Sequence, residues 1–391
     1  MKILQVYKIF NSQVASGAAR VAYNLSKQLA KRGHRVVFYA SDMYDCCKRS
    51  KSGYYKINGI GVHRFKTIGK FFCWLFKIYF TPSILSLRYE IKSFDIIHLH
   101  DYISFQNIIV AYFAKKYKIP YILQAHGSIP RTDRWKKLKW LYDIFFGYRL
   151  LREASRVIAL NLAEAEHYKS IGILDKKISI IPNGIDLYEY ANLPAKGLFK
   201  NKFGIPNEKK IILYLGRIHK TKGIDFIIKA YAHLTKKMNV KDTVLVIAGP
   251  DDGYLSETIG LAKRLGITDS VMFTLFISEE DKLKALVDAE VFLTPSFYGF
   301  PMTFLEACVT GTPIVTTNLG DTLEWIDNKI GYVTKPIPCD MAEAIYNIIS
   351  NEGLRKRFSK NCIDIVKSNF LMEDIAIRLE KVYEEAIKES E

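Results

Sequence analysis

The chain lacks the motifs that mark several common protein classes. Its 391 residues include only six cysteines, which are scattered, and none forms a Cys-x-x-Cys pair. This argues against a disulfide framework or a zinc ribbon and favours incidental thiols in a reducing compartment. The sequence contains neither a Walker A motif nor Gly-x-Gly-x-x-Gly, so two common phosphate-binding loops are missing.

The chain also lacks a long apolar run. Its most apolar segment is 71–76, which Lys77 interrupts, whereas a membrane-spanning helix needs about 20 apolar residues. The stretch 1–10 is typical of a strand, because its apolar run is too short for a signal peptide and carries no small-residue cleavage site. We therefore expect a cytoplasmic protein, with a peripheral position on the inner face of the membrane as a further option.

The charge is unevenly distributed along the chain. Residues 1–186 hold 31 Lys and Arg against 12 Asp and Glu, whereas residues 187–391 hold 26 against 28. The overall net charge of +17 therefore comes from the first half. Such a basic half suits an anionic membrane surface, a nucleic acid or a phosphorylated substrate.

Apolar strands alternate with amphipathic helices along the whole chain. A strand at 3–6 precedes a helix over 17–32, and a polar linker at 190–210 separates two such series. The further predicted strands are 35–39, 96–100, 121–123, 156–160, 211–216, 244–248, 271–273, 291–293 and 313–315. This pattern predicts an α/β protein with two Rossmann-like, doubly wound parallel sheets. We place the domains at 1–186 and 187–370, with the loops of both facing a cleft.

Two segments of the first half, 64–92 and 131–152, are both aromatic and basic. Each is interpreted as a helix with an aromatic face and a cationic face, which suits a membrane interface or a lipid acceptor. Ordinary amphipathic helices packed on the sheet would show the same composition, so both interpretations stay open. No nucleic-acid-binding motif accompanies the charge. The candidate contact residues are Arg131, Arg134, Trp135, Lys136, Lys137 and Trp140.

The segment Pro295–Pro313 carries the strongest functional signal. An apolar strand leads through a glycine-bearing turn into a helix that we expect to open at Thr303. A helix N-terminus offers unpaired N–H groups and the positive end of a dipole, so it can bind phosphate. Glu306, one turn inside, can accept hydrogen bonds from a sugar diol. The segment therefore predicts a nucleotide-sugar site.

A second signal is the loop 215–223, which follows a strand and opens a helix. Arg217 and Lys222, five residues apart, can hold a diphosphate and stabilise its charge as it leaves. Alone, the loop could be a solvated basic turn. Together with Glu306 it favours an anion site.

Three further positions carry weaker signals. Gly17 follows the first strand and would let a phosphate or sugar approach the backbone. His98 and His100 point the same way on a strand, which could make a metal pair, although strand-end residues lining the cleft are the better account. His126 lies at the carboxyl end of a strand, before glycine, and is a candidate binding residue.

The order and spacing of these motifs resemble the retaining nucleotide-sugar glycosyltransferases of family 4, which have the GT-B architecture of two Rossmann-like domains. The resemblance is carried by SGAARVAYNLSKQLAKRGHRV, DIIHLHD, QAHGS, ASRVIALNLAEAEHY, IPNGID, LGRIHKTKGID, IAGPDDG and GFPMTFLEACVTGTPIV. It implies that 1–186 binds the acceptor and 187–370 the nucleotide sugar. The last helix, from about 371 to 391, would pack back on the first domain.

The resemblance also implies roles for single residues. Gly17 would lie against the donor phosphate or the acceptor, and His126 would contact the donor sugar. Arg217 and Lys222 would hold the diphosphate, and Glu306 would bind the ribose. The remaining donor contacts would be Gly216 and the backbone of Phe300, Pro301, Met302, Thr303, Phe304 and Leu305.

Two positions depart from the family pattern. The family carries two glutamates eight residues apart, but here Tyr298 runs directly into Gly299, as though the first glutamate were deleted. Leu275 stands where the family favours glycine near the nucleotide base, which a leucine side chain could crowd.

The function that we expect is that of a metal-independent, retaining hexosyltransferase using a UDP- or GDP-sugar. The chain has no Asp-x-Asp motif, which fits a diphosphate neutralised by side chains and a helix tip. No cofactor beyond the nucleotide sugar and no nucleic-acid partner is expected. The acceptor would be a glycan or a lipid-linked glycan at the membrane surface. Two alternatives remain, a degenerate binding homologue and a phosphorylase or epimerase of the same architecture.

Overall fold

The computed structural model describes residues 1–10, 17–44, 48–69, 78–129, 136–295, 300–319 and 323–390, without the side chains of 136–138. The chain divides into two compact units. Met1–Gly184 and Met372–Glu391 form the first unit, and Ile185–Leu371 form the second.

The first unit is built on an eight-stranded sheet in the order β3-β4-β2-β1-β5-β6-β7-β8. Its strands are β1 Lys2–Ile9, β2 Arg35–Ser41, β3 Gly53–Ile57, β4 Ile60–Phe65, β5 Ile96–His100, β6 Tyr121–Gln124, β7 Arg156–Ala159 and β8 Ile178–Ile180. All neighbours are parallel except the β3–β4 hairpin at one edge. The central strands are buried on both faces, as parallel sheets require.

Helices cover both faces of this sheet. They are α1 Gly17–Lys31, α2 Phe105–Tyr117, α3 Lys136–Tyr142, α4 Tyr148–Glu153, α5 Leu162–Ser170 and the last helix, α13 Met372–Lys388. Because side chains alternate along a strand, Ile3 packs with α1 and α13 on one face, and Leu4 packs with α2 and α5 on the other. The five residues Asp143–Gly147, between α3 and α4, form a π-helical turn.

Ion pairs fix α13 on the first unit. Arg156 on β7 donates from both terminal nitrogens to Glu389, at 2.6 and 2.5 Å. Arg32 Nε donates to Glu380 Oε1 at 2.6 Å. The bidentate geometry of the first pair gives directional as well as ionic attachment.

The second unit has a six-stranded, wholly parallel sheet in the order β11-β10-β9-β12-β13-β14. Its strands are β9 Lys210–Leu215, β10 Thr243–Ala248, β11 Val271–Leu275, β12 Ala289–Thr294, β13 Ile314–Thr317 and β14 Gly331–Thr334. Its helices are α6 Leu198–Phe203, α7 Ile224–Lys236, α8 Leu255–Arg264, α9 Glu279–Asp288, α10 Met302–Val309, α11 Pro338–Ser350 and α12 Glu352–Asn369.

The predicted class, α/β with two doubly wound parallel sheets, is confirmed. Two local predictions were wrong. The described part of 64–92 is not one helix, because β4 continues to Phe65 and 3₁₀ turns occupy Pro82–Leu87 and Glu90–Ser93. The linker at 190–210 contains helix α6, which a glycine flanks on each side and which Asp288 holds by accepting from backbone N–H groups.

Candidate functional site

The helix tip predicted to bind phosphate is present in the second unit. Strand β12 leads toward it, and α10 begins at Met302, one residue earlier than expected. Pro301 is the N-cap, and no side chain caps the helix in the described residues. Phe304 N donates to Pro301 O at 3.1 Å, so the N–H groups of Met302 and Thr303 are the ones that could meet an anion here. Tyr298 and Gly299, where the family glutamate is missing, lie outside the described residues.

An aromatic cluster anchors this helix tip. The ring of Phe300 stacks on Trp325 with centroids 5.4 Å apart and an interplanar angle of 16°. Phe370 lies 5.2 Å from Phe300, and Phe304 lies 6.1 Å from Trp325. Since the side chains of Met302 and Leu305 are buried as well, most of the predicted donor segment can reach a ligand only through its backbone.

Glu306 is buried and held by two side chains of the same unit. Lys282 Nζ, on α9, donates to Glu306 Oε1 at 2.8 Å, and Tyr190 OH donates to the same oxygen at 3.4 Å. Only 3% of the Glu306 side chain is exposed. A ribose diol would therefore meet a carboxylate that Lys282 already neutralises in part. Lys282 and Tyr190 could not be predicted from the sequence, since neither stands in a recognisable motif.

Arg217 and Lys222 lie in the loop between β9 and α7. Arg217 forms an ion pair with Asp252 and is more than half exposed. Lys222 ends the turn Lys220–Lys222 and is half-buried. No acceptor contacts its ammonium group in the described part of the chain, and burial, followed by the charge of Arg217, lowers the pKa of Lys222. A poorly solvated cation facing another cation favours a bound anion.

Two neighbouring loops are joined behind Arg217. Ile218 N donates to Pro250 O at 2.8 Å, and Asp252 N donates to Ile218 O at 3.0 Å. Gly249 has φ +148°, and a Cβ there would lie 1.9 Å from the carbonyl oxygen of Gly216. Only glycine allows this approach. Gly216 therefore contributes backbone packing between the loops. Asp252, the ion-pair partner of Arg217, was not predicted. It stands in the motif IAGPDDG, which could have indicated it.

Leu275 ends β11 with φ +58°, in the left-handed region. Its carbonyl accepts from Gly249 N at 2.8 Å, so the unusual conformation belongs to the same loop cluster. A left-handed conformation is costly for a residue with a Cβ. The departure from glycine at this position therefore has a backbone cost in addition to any effect on a base.

His126 follows β6 in the first unit. It has φ +53°, and Gly127 has φ +74°. Its Nε2 lies 2.9 Å from Nδ1 of His100, while its own Nδ1 is buried with no hydrogen-bond partner in the described residues. Burial lowers the pKa of His126 to about 4. The imidazole of His126 is therefore neutral at physiological pH and has an unsatisfied ring nitrogen.

The prediction that His98 and His100 line the cleft was wrong. Both side chains are fully buried. His98 Nδ1 lies 2.7 Å from Tyr383 OH on α13, and His100 Nε2 lies 2.7 Å from Gln5 Oε1. Among the residues that the structure describes, no group of three or more His, Cys, Asp or Glu side chains could hold a metal ion.

The other predicted contacts are only partly described. Gly17 is exposed at the start of α1, but the residues before it lie outside the description. Arg131, Arg134 and Trp135 lie outside it as well. Of Lys136 and Lys137, only the backbone, in α3, is described. Trp140, also on α3, is 49% exposed.

Trp140 belongs to a group of exposed apolar side chains that we name the apolar patch. Its members are Tyr112, Trp140, Leu141, Ile144, Phe145 and Phe146, from α2, α3 and the π-helical turn. Beside it lies a surface cavity of about 520 Å³ lined by Phe145 and Phe146, by the cations Lys115, Lys116 and Arg149, and by Glu153, which pairs with Lys115 and Arg149. No helix in the described ranges is long and apolar enough to cross a membrane.

Comparison with known proteins decides the family. Residues 15–189 match the family model described as "Glycosyltransferase Family 4", and residues 196–364 match the model described as "Glycosyl transferases group 1". The chain belongs to the family 4 glycosyltransferases. This glycosyltransferase is 27% identical to an uncharacterized glycosyltransferase of Methanocaldococcus jannaschii, with 99% of each chain covered. It is 25% identical to the UDP-Gal:alpha-D-GlcNAc-diphosphoundecaprenol alpha-1,3-galactosyltransferase of Escherichia coli, with 77% of each covered.

The fold of this glycosyltransferase is shared with solved structures of the GT-B type. Anabaena HepE in complex with UDP superposes with a TM-score of 0.77 at 17% identity, covering 98% of this chain and 100% of the other. Sucrose-phosphate synthase of Thermosynechococcus elongatus gives a TM-score of 0.78 at 18% identity, with 99% of each covered. The predicted GT-B architecture is therefore confirmed.

Proposed function

We propose that this glycosyltransferase is a retaining, metal-independent hexosyltransferase that moves a sugar from a UDP- or GDP-sugar to a glycan or lipid-linked acceptor at the membrane surface. One observation carries the donor assignment. The half-buried Lys222, with no acceptor in the described residues, follows β9. The N-terminus of α10, which no described side chain caps, follows β12. These strands are neighbours in the sheet, so a cation and an anion-binding helix tip share one edge.

In the proposed reaction the acceptor hydroxyl attacks the anomeric carbon from the face that the diphosphate leaves. The bond from that carbon to the diphosphate oxygen breaks, the bond to the acceptor oxygen forms, and the leaving phosphate takes the hydroxyl proton. Arg217, Lys222 and the tip of α10 stabilise the charge that develops on the diphosphate. A bound diphosphate would compete with Asp252, which forms an ion pair with Arg217.

Glu306 would accept hydrogen bonds from the ribose, and His126 would contact the donor sugar. Support for a nucleotide-sugar donor comes from solved structures of this fold, which include HepE complexes with UDP and with UDP-glucose. The name of the Escherichia coli relative gives UDP-Gal as its donor.

The apolar patch supports a membrane-surface acceptor. Its exposed rings Phe145 and Phe146 line the cavity together with Lys116 and with Lys115 and Arg149, both of which pair with Glu153. Aromatic rings beside cations suit the headgroup region of an anionic bilayer. The net charge of the first 186 residues acts in the same direction. The Escherichia coli relative is named for a diphosphoundecaprenol acceptor, which is lipid-linked.

A non-catalytic binding homologue is the second candidate. Two observations favour it: Lys282 occupies the Glu306 carboxylate, and Leu275 adopts a strained conformation where the family favours glycine. The absence of the family glutamate between Tyr298 and Gly299 also favours a non-catalytic homologue.

Calorimetric titration with a panel of UDP- and GDP-sugars tests the proposal, combined with an assay for donor hydrolysis and transfer. We expect one donor to bind and to be hydrolysed slowly without acceptor. Binding without any turnover would support the non-catalytic homologue, and the absence of binding to every donor would overturn the donor assignment itself.

A further inference from the structure

Five side chains of the first unit form one continuous hydrogen-bonded chain. It runs from His98 on β5 through Tyr383 on α13 to His126, just after β6. Tyr383 OH lies 2.7 Å from His98 Nδ1 and 3.1 Å from Gln5 Nε2. Gln5 Oε1 lies 2.7 Å from His100 Nε2, and His100 Nδ1 lies 2.9 Å from His126 Nε2. Gln5, His98, His100 and Tyr383 are all buried. A missing partner within the chain would therefore leave a buried polar group unsatisfied.

The position of each hydrogen follows from this geometry. The amide oxygen of Gln5 can only accept, so His100 must donate from Nε2. A neutral imidazole carries one N–H group, and burial holds the pKa of His100 well below its ordinary value. His100 Nδ1 is therefore an acceptor. Consequently His126 donates from Nε2, and its Nδ1 carries a lone pair.

That lone pair lies at the His126 end of the chain. His126 Nδ1 is buried and has no partner in the described residues, and the same holds for His98 Nε2 at the other end of the chain. Leaving a buried nitrogen unsatisfied is costly, but His98 is fully buried whereas His126 as a residue is partly exposed. The left-handed φ of His126 adds backbone strain. An unsatisfied buried nitrogen and a strained backbone at the same residue are typical of a ligand-binding position. A lone pair accepts from a hydroxyl but repels the oxygens of phosphate.

We propose that Gln5, His100 and Tyr383 are positioning residues that fix His126 as a hydrogen-bond acceptor for a substrate hydroxyl. The last helix thereby sets the chemistry of the first unit's binding residue, through a phenol at Tyr383. That the hydroxyl belongs to the donor sugar rests on the proposed function. The direction of the hydrogen bonds does not rest on the proposed function, because it follows from contacts within the protein.

The experiment is ¹⁵N NMR of the histidine rings in the full chain without any ligand. An unprotonated ring nitrogen resonates far downfield of a protonated one, and His126→Gln assigns the signals. At pH 7.5 we expect a single tautomer of His126, protonated at Nε2. The reverse tautomer in the wild-type chain would overturn the proposal, because it would mean that the Gln5 amide points the other way.

Variants then test the chain of positioning. Gln5→Leu removes the acceptor for His100 and should yield a mixture of His126 tautomers, whereas Gln5→Glu keeps that acceptor and should retain the single form. Tyr383→Phe removes only a hydroxyl and should release the Gln5 amide, which gives a second route if Gln5→Leu fails to fold. An unchanged single tautomer in Tyr383→Phe and in folded Gln5→Leu would show that these residues have no positioning role.

Because the tautomer is read without donor, its outcome is independent of the transfer reaction. A failed donor panel with the expected tautomer would overturn the proposed function and leave the positioning role intact. Normal transfer with a mixture of His126 tautomers in the wild-type chain would support the proposed function and overturn the positioning role.

Discussion

The ammonium nitrogen of Lys282 lies 2.8 Å from Oε1 of the buried Glu306 and 2.6 Å from Oε2 of the exposed Glu279. Lys282 therefore pairs with two carboxylates that differ widely in exposure. The side chain of Glu306 is 3% exposed, and that of Glu279 is 52% exposed. A buried carboxylate depends on such a partner far more than an exposed one does. This pair gives a matched test of the ribose assignment.

Glu306→Gln should weaken UDP binding about tenfold, because an amide accepts a weaker hydrogen bond from a hydroxyl than a carboxylate does. Glu279→Gln is the control, since it removes the other partner of Lys282. Calorimetry with UDP measures both. Equal affinities for the two variants would mean that Glu306 serves the protein and not the nucleotide.

Arg217→Ala and Lys222→Ala should each abolish sugar transfer, with a loss of at least about a hundredfold, because the diphosphate would leave without its compensating charge. Lys220→Ala, an exposed neighbour in the same turn, should change the rate little. Initial rates at saturating donor make the comparison. Near-wild-type rates for either of the first two variants would contradict the diphosphate assignment.

Leu275→Gly should stabilise the second unit by about 0.5–1 kcal/mol, since glycine removes the left-handed strain at a smaller cost in chain entropy. Leu275→Val should destabilise it, because a β-branched side chain fits φ +58° poorly. Urea unfolding measures both free energies. Stabilisation by valine would show that strain at this position is negligible.

The buried histidines should make the first unit sensitive to mild acid. Burial lowers the pKa of His98 to about 3 and that of His126 to about 4, whereas an unfolded histidine titrates near 6.5. Between those values the unfolded chain binds more protons, so stability falls as the pH falls from about 6.5 toward 4.

Urea unfolding at pH 7.5, 6 and 5 measures this dependence. Each buried histidine should contribute up to about 1.4 kcal/mol per pH unit within the window. His98→Gln, which keeps a polar group but cannot titrate, should reduce the slope by about one proton. A wild-type free energy of unfolding that is constant from pH 7.5 to 5 would contradict the assignment of neutral histidines.

The apolar patch should bind anionic vesicles at low salt. Phe145→Ser with Phe146→Ser should reduce vesicle flotation at least about tenfold, since two rings lose their burial in the interface. The control is Ile259→Ser, at an exposed apolar position of the second unit. Salt should weaken wild-type binding. The membrane assignment fails if the wild-type chain does not float at low salt.

Much of the fold could be predicted from local pattern. Apolar runs such as 3–6 and 244–248 alternate with amphipathic helices, and that alternation alone indicates parallel sheets. The segment at Phe65 was misjudged because its aromatic and basic composition suits a helix and a strand edge equally. The helix α6 was missed since its six residues are too few for periodicity to show.

The sequence by itself determined the class, the two units and the positions of Arg217, Lys222 and Glu306 relative to strands and helices, because these follow from short-range pattern and from motif spacing. Only the tertiary structure decided their partners. Lys282 reaches Glu306 from another helix, and Tyr383 meets His98 across 285 residues of chain. Hydrogen-bond polarity and charge compensation depend on such distant contacts, which no local pattern encodes.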